Sequence, residues 1–332
     1  MKTFVSIQYL RGFAALAVVL FHACQWAGVD FDIGAGGVDV FFVISGFVLW
    51  TAAQARPATP GLFLWRRVVR VVPAYWAVTL LLAGLVAAWP GLLPQVRLEA
   101  SHLVLSLLFI PHMDPAGLPF PLLPPGWSLS YEAIFYLVFA AGLAAPARSR
   151  FTTGIAGLVI IGLTGFLIHP AYELGANPTM LEFAAGVWLG KAWAEDRTPP
   201  RAAGWALLVA GLGTFAALRL LGVHSDLWRN LIWGVPALAI VAGAVSIEAD
   251  GGVAALPALR LLGDGSYSLY LVHWIVIALL AKAVRPTDPW FFIPLSVVVS
   301  IGAGLLTRQM LEKPLVTLLG PRGPWAEHAI KY

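Results

Sequence analysis

The chain is a succession of long apolar runs separated by short polar connections. Each run approaches about 20 residues, the length that a helix needs to cross the hydrocarbon core of a bilayer. The pattern therefore predicts an all-α, polytopic membrane bundle of about ten transmembrane helices. The predicted spans are residues 10–28, 36–53, 71–90, 126–145, 152–169, 178–194, 202–222, 228–248, 265–284 and 290–311.

One apolar run, from His102 to Ile110, is too short to cross a membrane and indicates an interfacial or re-entrant segment. It lies in the longest connection, residues 91–125. Six prolines between residues 111 and 125 prevent a continuous helix there. We expect this loop to shape a substrate entrance.

Composition agrees with membrane insertion. Apolar residues make up 59% of the 332 residues and charged residues only 11%, against about 25% charged in ordinary soluble domains. The single cysteine, Cys24, excludes an intramolecular disulfide and a cysteine zinc cluster. No histidine, cysteine or carboxylate spacing typical of a metal site occurs, so no metal is predicted.

Lysine and arginine residues predict the orientation. Ten spans with the N-terminus inside place most of them at the cytoplasmic ends, so both termini are predicted to be cytoplasmic. The net charge of +4 then reflects topology, and no nucleic-acid partner is expected. Arg11 interrupts the first apolar run, which argues against a cleaved signal peptide. We predict a single transmembrane domain, residues 1–320, followed by a short cytoplasmic tail, residues 321–332.

Arg11 and His22 are ionisable residues on the first predicted span. Eleven helical positions amount to three turns plus roughly 20°, so both point to one face about 16 Å apart in depth. An ionisable group at a span centre costs roughly 2.5 to 3.5 kcal/mol, which favours a functional role. The ordinary alternatives are a packing hydrogen bond for His22 and extension of Arg11 into the headgroups.

Four further charged residues are candidates. Glu132 lies one to two turns into an apolar span, where a carboxylate is predicted to face a histidine or a substrate. Asp39 begins the second span, where the helix dipole is an ordinary explanation for a carboxylate. Arg67 and Arg70 are three positions apart and present two guanidinium groups on one face, which suits phosphate oxygens. A topology signal or a contact with anionic lipid is the alternative for these arginines.

Six short motifs in this order resemble the acyltransferase-3 family of integral-membrane proteins, which O-acylate carbohydrates and related acceptors. The resemblance extends over essentially all ten predicted spans. They are Tyr9-Leu10-Arg11-Gly12 followed by His22, residues 37–47, Arg67-Val68-Val69-Arg70 with Pro73, residues 127–132, residues 266–274, and Glu312-Lys313-Pro314.

The resemblance implies a multi-pass O-acyltransferase of a bacterial inner membrane, in contact with lipid. Such an enzyme moves an acyl group, usually acetyl, from cytoplasmic acyl-coenzyme A to a sugar, polysaccharide or glycoconjugate at the outer side. Arg67 and Arg70 would dock the phosphorylated end of acetyl-CoA. Arg11 would line the path of its arm or hold a phosphate. Acetyl and slightly longer acyl groups, many acceptors and a homo-oligomer are all compatible with the sequence.

The chemistry needs a base that removes a hydroxyl proton as the oxygen attacks a thioester, and His22 is assigned that role. By the logic of a catalytic triad, a carboxylate would orient the imidazole; Glu132 is the first choice and Asp39 the second. An acyl-histidine intermediate is equally compatible. His273 is assigned a structural or acceptor-binding role. Further substrate-binding or oxyanion candidates are Ser45, Trp127, Ser128, Tyr131 and Tyr270.

Two other function classes stay open at this point. A proton-coupled secondary transporter or flippase of a glycan precursor would use His22, Glu132 and Arg11 as a proton relay. The matching broken helices typical of inverted-repeat transporters are missing from the two halves of the sequence. A bundle that only scaffolds other envelope proteins is the third alternative. For the loop residues His102 and His112, solvated roles are expected.

Overall fold

The computed structural model describes residues 4–167, 177–222 and 229–320, and the regular secondary structure of these residues is entirely helical, without a strand. The predicted tail, residues 321–332, lies outside the described residues. Thirteen α-helices lie in the described ranges. They are α1 (Val5–Trp26), α2 (Gly37–Ala55), α3 (Pro60–Ala88), α4 (Ala100–Leu107), α5 (Trp127–Ala144), α6 (Arg150–Leu167), α7 (Met180–Ala194), α8 (Arg201–Leu220), α9 (Arg229–Ala249), α10 (Pro257–Asp264), α11 (Ser266–Val284), α12 (Pro289–Thr307) and α13 (Lys313–Leu319), with short 3₁₀ turns at Asp32–Gly36, Pro124–Gly126 and Ala147–Ser149 and a π-helical segment at Arg308–Glu312.

The helices confirm an all-α, multi-pass membrane bundle. Among the described residues, eight helical segments are long and apolar enough to cross a bilayer. The spans predicted at 152–169 and 178–194 correspond to α6 and α7, which are not among those eight. The total of ten crossings and the cytoplasmic position of both termini therefore stay predictions.

Glycines let α2 and α7 cross in close contact. A Cβ atom added at Gly46 would clash with the carbonyl oxygen of Phe183, and one added at Gly186 would clash with that of Val43. Gly190, one turn after Gly186, lies against the carbonyl oxygen of Phe47. Small residues four apart allow membrane helices to approach at backbone distance. This crossing fixes α2, which carries Asp39 and Ser45.

Helix α1 packs against α2, α10, α11 and α12. Its first N–H groups, which lack partners within the helix, are capped by a side chain of α9. The Glu248 carboxylate accepts hydrogen bonds from the backbone N–H groups of Val5 (2.9 Å) and Ser6 (2.8 Å) and from the Ser6 hydroxyl (2.6 Å). A carboxylate at a helix N-terminus is also favoured by the helix dipole. The helix that carries Arg11 and His22 is thereby anchored to α9.

Helix α3 begins eleven residues before the predicted span and continues through Pro73. Proline has no N–H, so the helix lacks one backbone hydrogen bond at this point. Because α3 starts at Pro60, Arg67 and Arg70 lie within a helix of 29 residues and not in a preceding loop. The guanidinium groups are therefore held by the same helix that enters the bundle.

Candidate active site

Two cavities in the described part of the bundle are lined by most of the predicted site residues, and Asp39 and His273 lie outside both linings. The smaller, about 110 Å³, is lined by Arg11, Arg67 and Arg70 and is called the arginine cavity below. The larger, about 950 Å³, is lined by His22 and by the long loop between α3 and α5 and is called the histidine cavity. Arg11 and His22 thus lie on one continuous helix but open into different cavities.

The arginine cavity combines three guanidinium groups from two helices with one carboxylate, Glu132 on α5. Glu132 accepts a hydrogen bond from the Ser45 hydroxyl at 3.0 Å. It also lies within electrostatic range of Arg11 and Arg67. Three cations facing one anion leave this cavity with a positive balance, which suits a multiply charged anion such as a phosphate group.

Two further carboxylates, from the C-terminal part of the chain, lie near Arg11. They are Asp264 at the end of α10 and Glu312 in the π-helical segment. Glu312 accepts a hydrogen bond from the Ser268 hydroxyl (2.5 Å), and Asp264 pairs with Arg308 (3.1 Å). Isolated π-helical turns are frequent at functional sites because they redirect side chains locally. Here the turn carries the glutamate of the Glu312-Lys313-Pro314 motif.

The histidine cavity is walled by the loop that the sequence predicted to shape an entrance. The lining includes loop residues 95–97, 113–114, 118–122 and 124–125. Trp127, Tyr131 and Trp274 add aromatic rings, and Gln25 and Asn177 add amide groups. Flat aromatic faces beside hydrogen-bonding amides are suited to a carbohydrate, which presents apolar C–H faces and hydroxyl edges.

His22 is paired with a second histidine from another helix. Its Nδ1 lies 3.1 Å from Nε2 of His273 on α11 and 3.0 Å from the carbonyl oxygen of Val18. His273 is fully buried, and its own Nδ1 lies 2.7 Å from the carbonyl oxygen of Tyr270. The histidine pair joins α1 to α11 beside the histidine cavity.

The two cavities share two lining residues, Val38 on α2 and Tyr270 on α11. The Tyr270 hydroxyl donates a hydrogen bond to the carbonyl oxygen of Pro125 (2.9 Å), and its oxygen lies 2.8 Å from the Ser128 hydroxyl. Tyr270 is therefore held to the start of α5. The side chains that separate the cavities belong to α2 and α11, the helices packed against α1.

The predicted carboxylate partners of His22 are placed differently. Glu132 lines the arginine cavity and is hydrogen-bonded to Ser45, while Nδ1 of His22 contacts the carbonyl oxygen of Val18 and Nε2 of His273. Asp39 is fully buried in the first turn of α2. The roles predicted for Glu132 and Asp39, as the carboxylate that orients His22, therefore stay predictions. The histidine partner was missed because an α1–α11 contact, 251 residues apart, leaves no local pattern.

A second histidine pair lies in the loop. Nδ1 of His102 is 2.8 Å from Nε2 of His112, and Nδ1 of His112 is 2.7 Å from the carbonyl oxygen of Ile110. His102 is buried and lines the histidine cavity, so the solvated role expected for it is wrong. Within the described residues no group of three or more histidine, cysteine or carboxylate side chains could hold a metal ion.

The sequence model of a family of integral acyltransferases, described as "Acyltransferase domain" (acyltransferase-3), matches residues 4–308 of the chain. The chain belongs to the acyltransferase-3 family. The family resemblance that the motifs indicated is thus confirmed, and so is the assignment as an acyltransferase.

Several relatives of this acyltransferase-3 chain have names that describe a role. The exopolysaccharide production protein ExoZ of Rhizobium meliloti is 40% identical over 90% of this chain and 94% of its own length. Acyltransferase MdmB of Streptomyces mycarofaciens is 28% identical over 97% of this chain and 94% of its own. The peptidoglycan O-acetyltransferase OatA of Listeria monocytogenes is 26% identical over 93% of this chain but 55% of its own. No solved structure matches the chain.

Proposed function

We propose that this acyltransferase moves an acetyl group from cytoplasmic acetyl-CoA to a hydroxyl of a polysaccharide or other glycoconjugate at the outer side of a bacterial inner membrane. The observation that carries the proposal is the pair of cavities that meet at Tyr270 and Val38. One is built for an anion and the other for a polar, ring-shaped molecule. The names of ExoZ and OatA support a carbohydrate acceptor.

The donor end of the reaction is assigned to the arginine cavity. Arg67 and Arg70 hold the phosphate groups of acetyl-CoA, since guanidinium forks bind phosphate oxygens through two parallel hydrogen bonds. Arg11 lines the route from that site toward the histidine cavity. Glu132 balances part of the positive charge and so lowers the repulsion between the arginine side chains when no donor is bound.

The base is assigned to His22, which lines the histidine cavity and is half-buried. Its neutral imidazole accepts the proton of the acceptor hydroxyl while the hydroxyl oxygen attacks the thioester carbonyl. The C–S bond breaks, the new ester C–O bond forms, and the proton on His22 passes to the departing thiolate. The acceptor lies against Trp127, Tyr131 and the loop, which limits access of water to the thioester.

The proposal is tested with purified protein in nanodiscs, radiolabelled acetyl-CoA and a polysaccharide acceptor from the producing bacterium. A labelled ester on the glycan is expected, and His22→Ala is expected to lower kcat by roughly 10²- to 10⁴-fold, the usual contribution of a general base. The matched control is His112→Ala, outside the lining of both cavities. Proton-dependent uptake of a glycan precursor without ester formation would establish the transporter instead. An unchanged glycan product with His22→Ala would contradict the assignment of the base.

A further inference from the structure

His273 is a fully buried ionisable side chain whose two ring nitrogens both have partners. On one side Nδ1 approaches the carbonyl oxygens of Tyr270 (2.7 Å) and Leu269 (3.2 Å), which lie one turn earlier on α11. On the other side Nε2 approaches Nδ1 of His22 at 3.1 Å. A carbonyl oxygen can only accept a hydrogen bond, so the proton of neutral His273 lies on Nδ1. Its Nε2 is then an acceptor.

The same rule fixes the protonation of His22. Its Nδ1 has two neighbours, the carbonyl oxygen of Val18 (3.0 Å) and Nε2 of His273, and both are acceptors. The Nδ1 of His22 must therefore carry the proton. Its Nε2 keeps the lone pair, which is the state that a general base needs. Val18 belongs to α1 itself, whereas His273 comes from α11 and fixes the direction of the ring between two helices.

We propose that His273 is a positioning residue that holds His22 in the Nδ1–H tautomer and aims its Nε2 at the acceptor hydroxyl, an inference that rests on the proposed function of His22 as the base. His273 thereby performs the orienting role that the sequence analysis assigned to a carboxylate. A neutral imidazole does so without placing a further charge inside the bundle, where an unpaired charge is costly. When His22 accepts the proton, its Nδ1–H remains bonded to the lone pair of His273.

Steady-state kinetics with two substitutions separate this role from a structural one. His273→Leu removes the interhelical acceptor of the His22 Nδ1–H and leaves only the carbonyl oxygen of Val18. We expect kcat to fall on the order of 10²-fold with little change in KM for either substrate, because the ring of the base loses its fixed direction. The matched variant His273→Gln places a side-chain oxygen near the position of Nε2 and is expected to recover most of kcat. Transfer to hydroxylamine, which needs little base assistance, should be nearly unaffected in both variants.

A kcat unchanged in His273→Leu would overturn the proposal. So would an equal loss in folded His273→Gln and His273→Leu, or an equal loss with hydroxylamine. NMR of ¹⁵N-histidine-labelled wild-type protein, with His22 assigned from His22→Gln, tests the tautomer directly even if His273→Leu does not fold. The expected signals are a protonated Nδ1 and an unprotonated Nε2, and the reverse pattern overturns the proposal. Wild-type protein that transfers no acetyl group would contradict the proposed function, whereas the tautomer signals test the geometry of the His22–His273 pair without relying on transfer activity.

Discussion

The Glu132 carboxylate on α5 accepts the Ser45 hydroxyl of α2 at 3.0 Å and faces the arginines of the smaller cavity. This placement predicts a result for Glu132→Gln. Glutamine keeps an oxygen for Ser45 but removes the negative charge, so Arg67 and Arg70 repel each other and lose their positions. We expect KM for acetyl-CoA to rise about tenfold, equivalent to ~1.4 kcal/mol, with kcat nearly unchanged. A fall in kcat at constant KM would instead support the sequence-based hypothesis that Glu132 orients His22.

The arginine pair of α3 offers an internal control for donor binding. Arg70 lines the arginine cavity, whereas the neighbouring Arg66 is outside its lining. Because a hydrogen bond to a charged group contributes about 1.5–3 kcal/mol, we expect Arg70→Ala to weaken acetyl-CoA binding by roughly 10- to 150-fold. Isothermal titration of the protein in nanodiscs measures this constant. Equal weakening by Arg66→Ala would place the phosphates elsewhere or indicate a general effect of charge.

His102 gives the protein a pH dependence that does not involve the catalytic base. Burial, aided by the neighbouring His112, lowers the pKa of His102 below its ordinary value of 6.5. The folded state therefore binds the proton more weakly than the unfolded state, so His102 makes stability fall as pH drops below about 6.5, down to the lowered pKa. Well above pH 6.5, where His102 is neutral in both the folded and the unfolded state, its titration does not change stability. Thermal unfolding between pH 7.5 and 5 should show a steeper fall in Tm for the wild type than for His102→Gln. Parallel curves would contradict this prediction.

Glu248 and Asp250 both accept hydrogen bonds at helix N-termini, and we expect the loss of each carboxylate to destabilise the protein to a different extent. Glu248 binds two backbone N–H groups and one hydroxyl at the buried start of α1, whereas Asp250 accepts one exposed N–H, that of Arg201 (3.2 Å), at the start of α8. We expect Glu248→Ala to lower the free energy of unfolding by about 2 kcal/mol and Asp250→Ala by about 0.5 kcal/mol. Chemical denaturation in detergent micelles measures both. Similar losses would show that burial of the cap contributes little.

Much of the fold could be predicted because its causes are local in the chain. An apolar run near 20 residues is enough to specify a helix, so each predicted span overlaps a helix of the structure. Helix α3 was placed too late, since its first turns carry Arg66, Arg67 and Arg70 and resemble a polar connection. The eight-residue helix α4 agrees with the short run at 102–110, which could not cross.

The site was predictable only in part. Arg11, Arg67 and Arg70 stand out because cations are rare in apolar helices, and the structure gathers all three in one cavity. The contact between His22 and His273 depends on how α1 and α11 cross. The residues next to each histidine in the sequence give no indication of this crossing. The same holds for Glu132, whose depth in α5 was predicted but whose direction is set by the packing of α5 against α2 and α3.

The boundary that the two cavities share at Tyr270 and Val38 affects whether ions leak across the membrane while the proposed enzyme acetylates a glycan on the outer side. In the proposed reaction a two-carbon group passes between the cavities, and the bulky, charged nucleotide stays with the arginines. The opening needed is then only as wide as an acetyl group. A side chain held by Pro125 and Ser128, as Tyr270 is, can seal such a gap against hydrated ions. The spent coenzyme A is released where metabolism can recharge it.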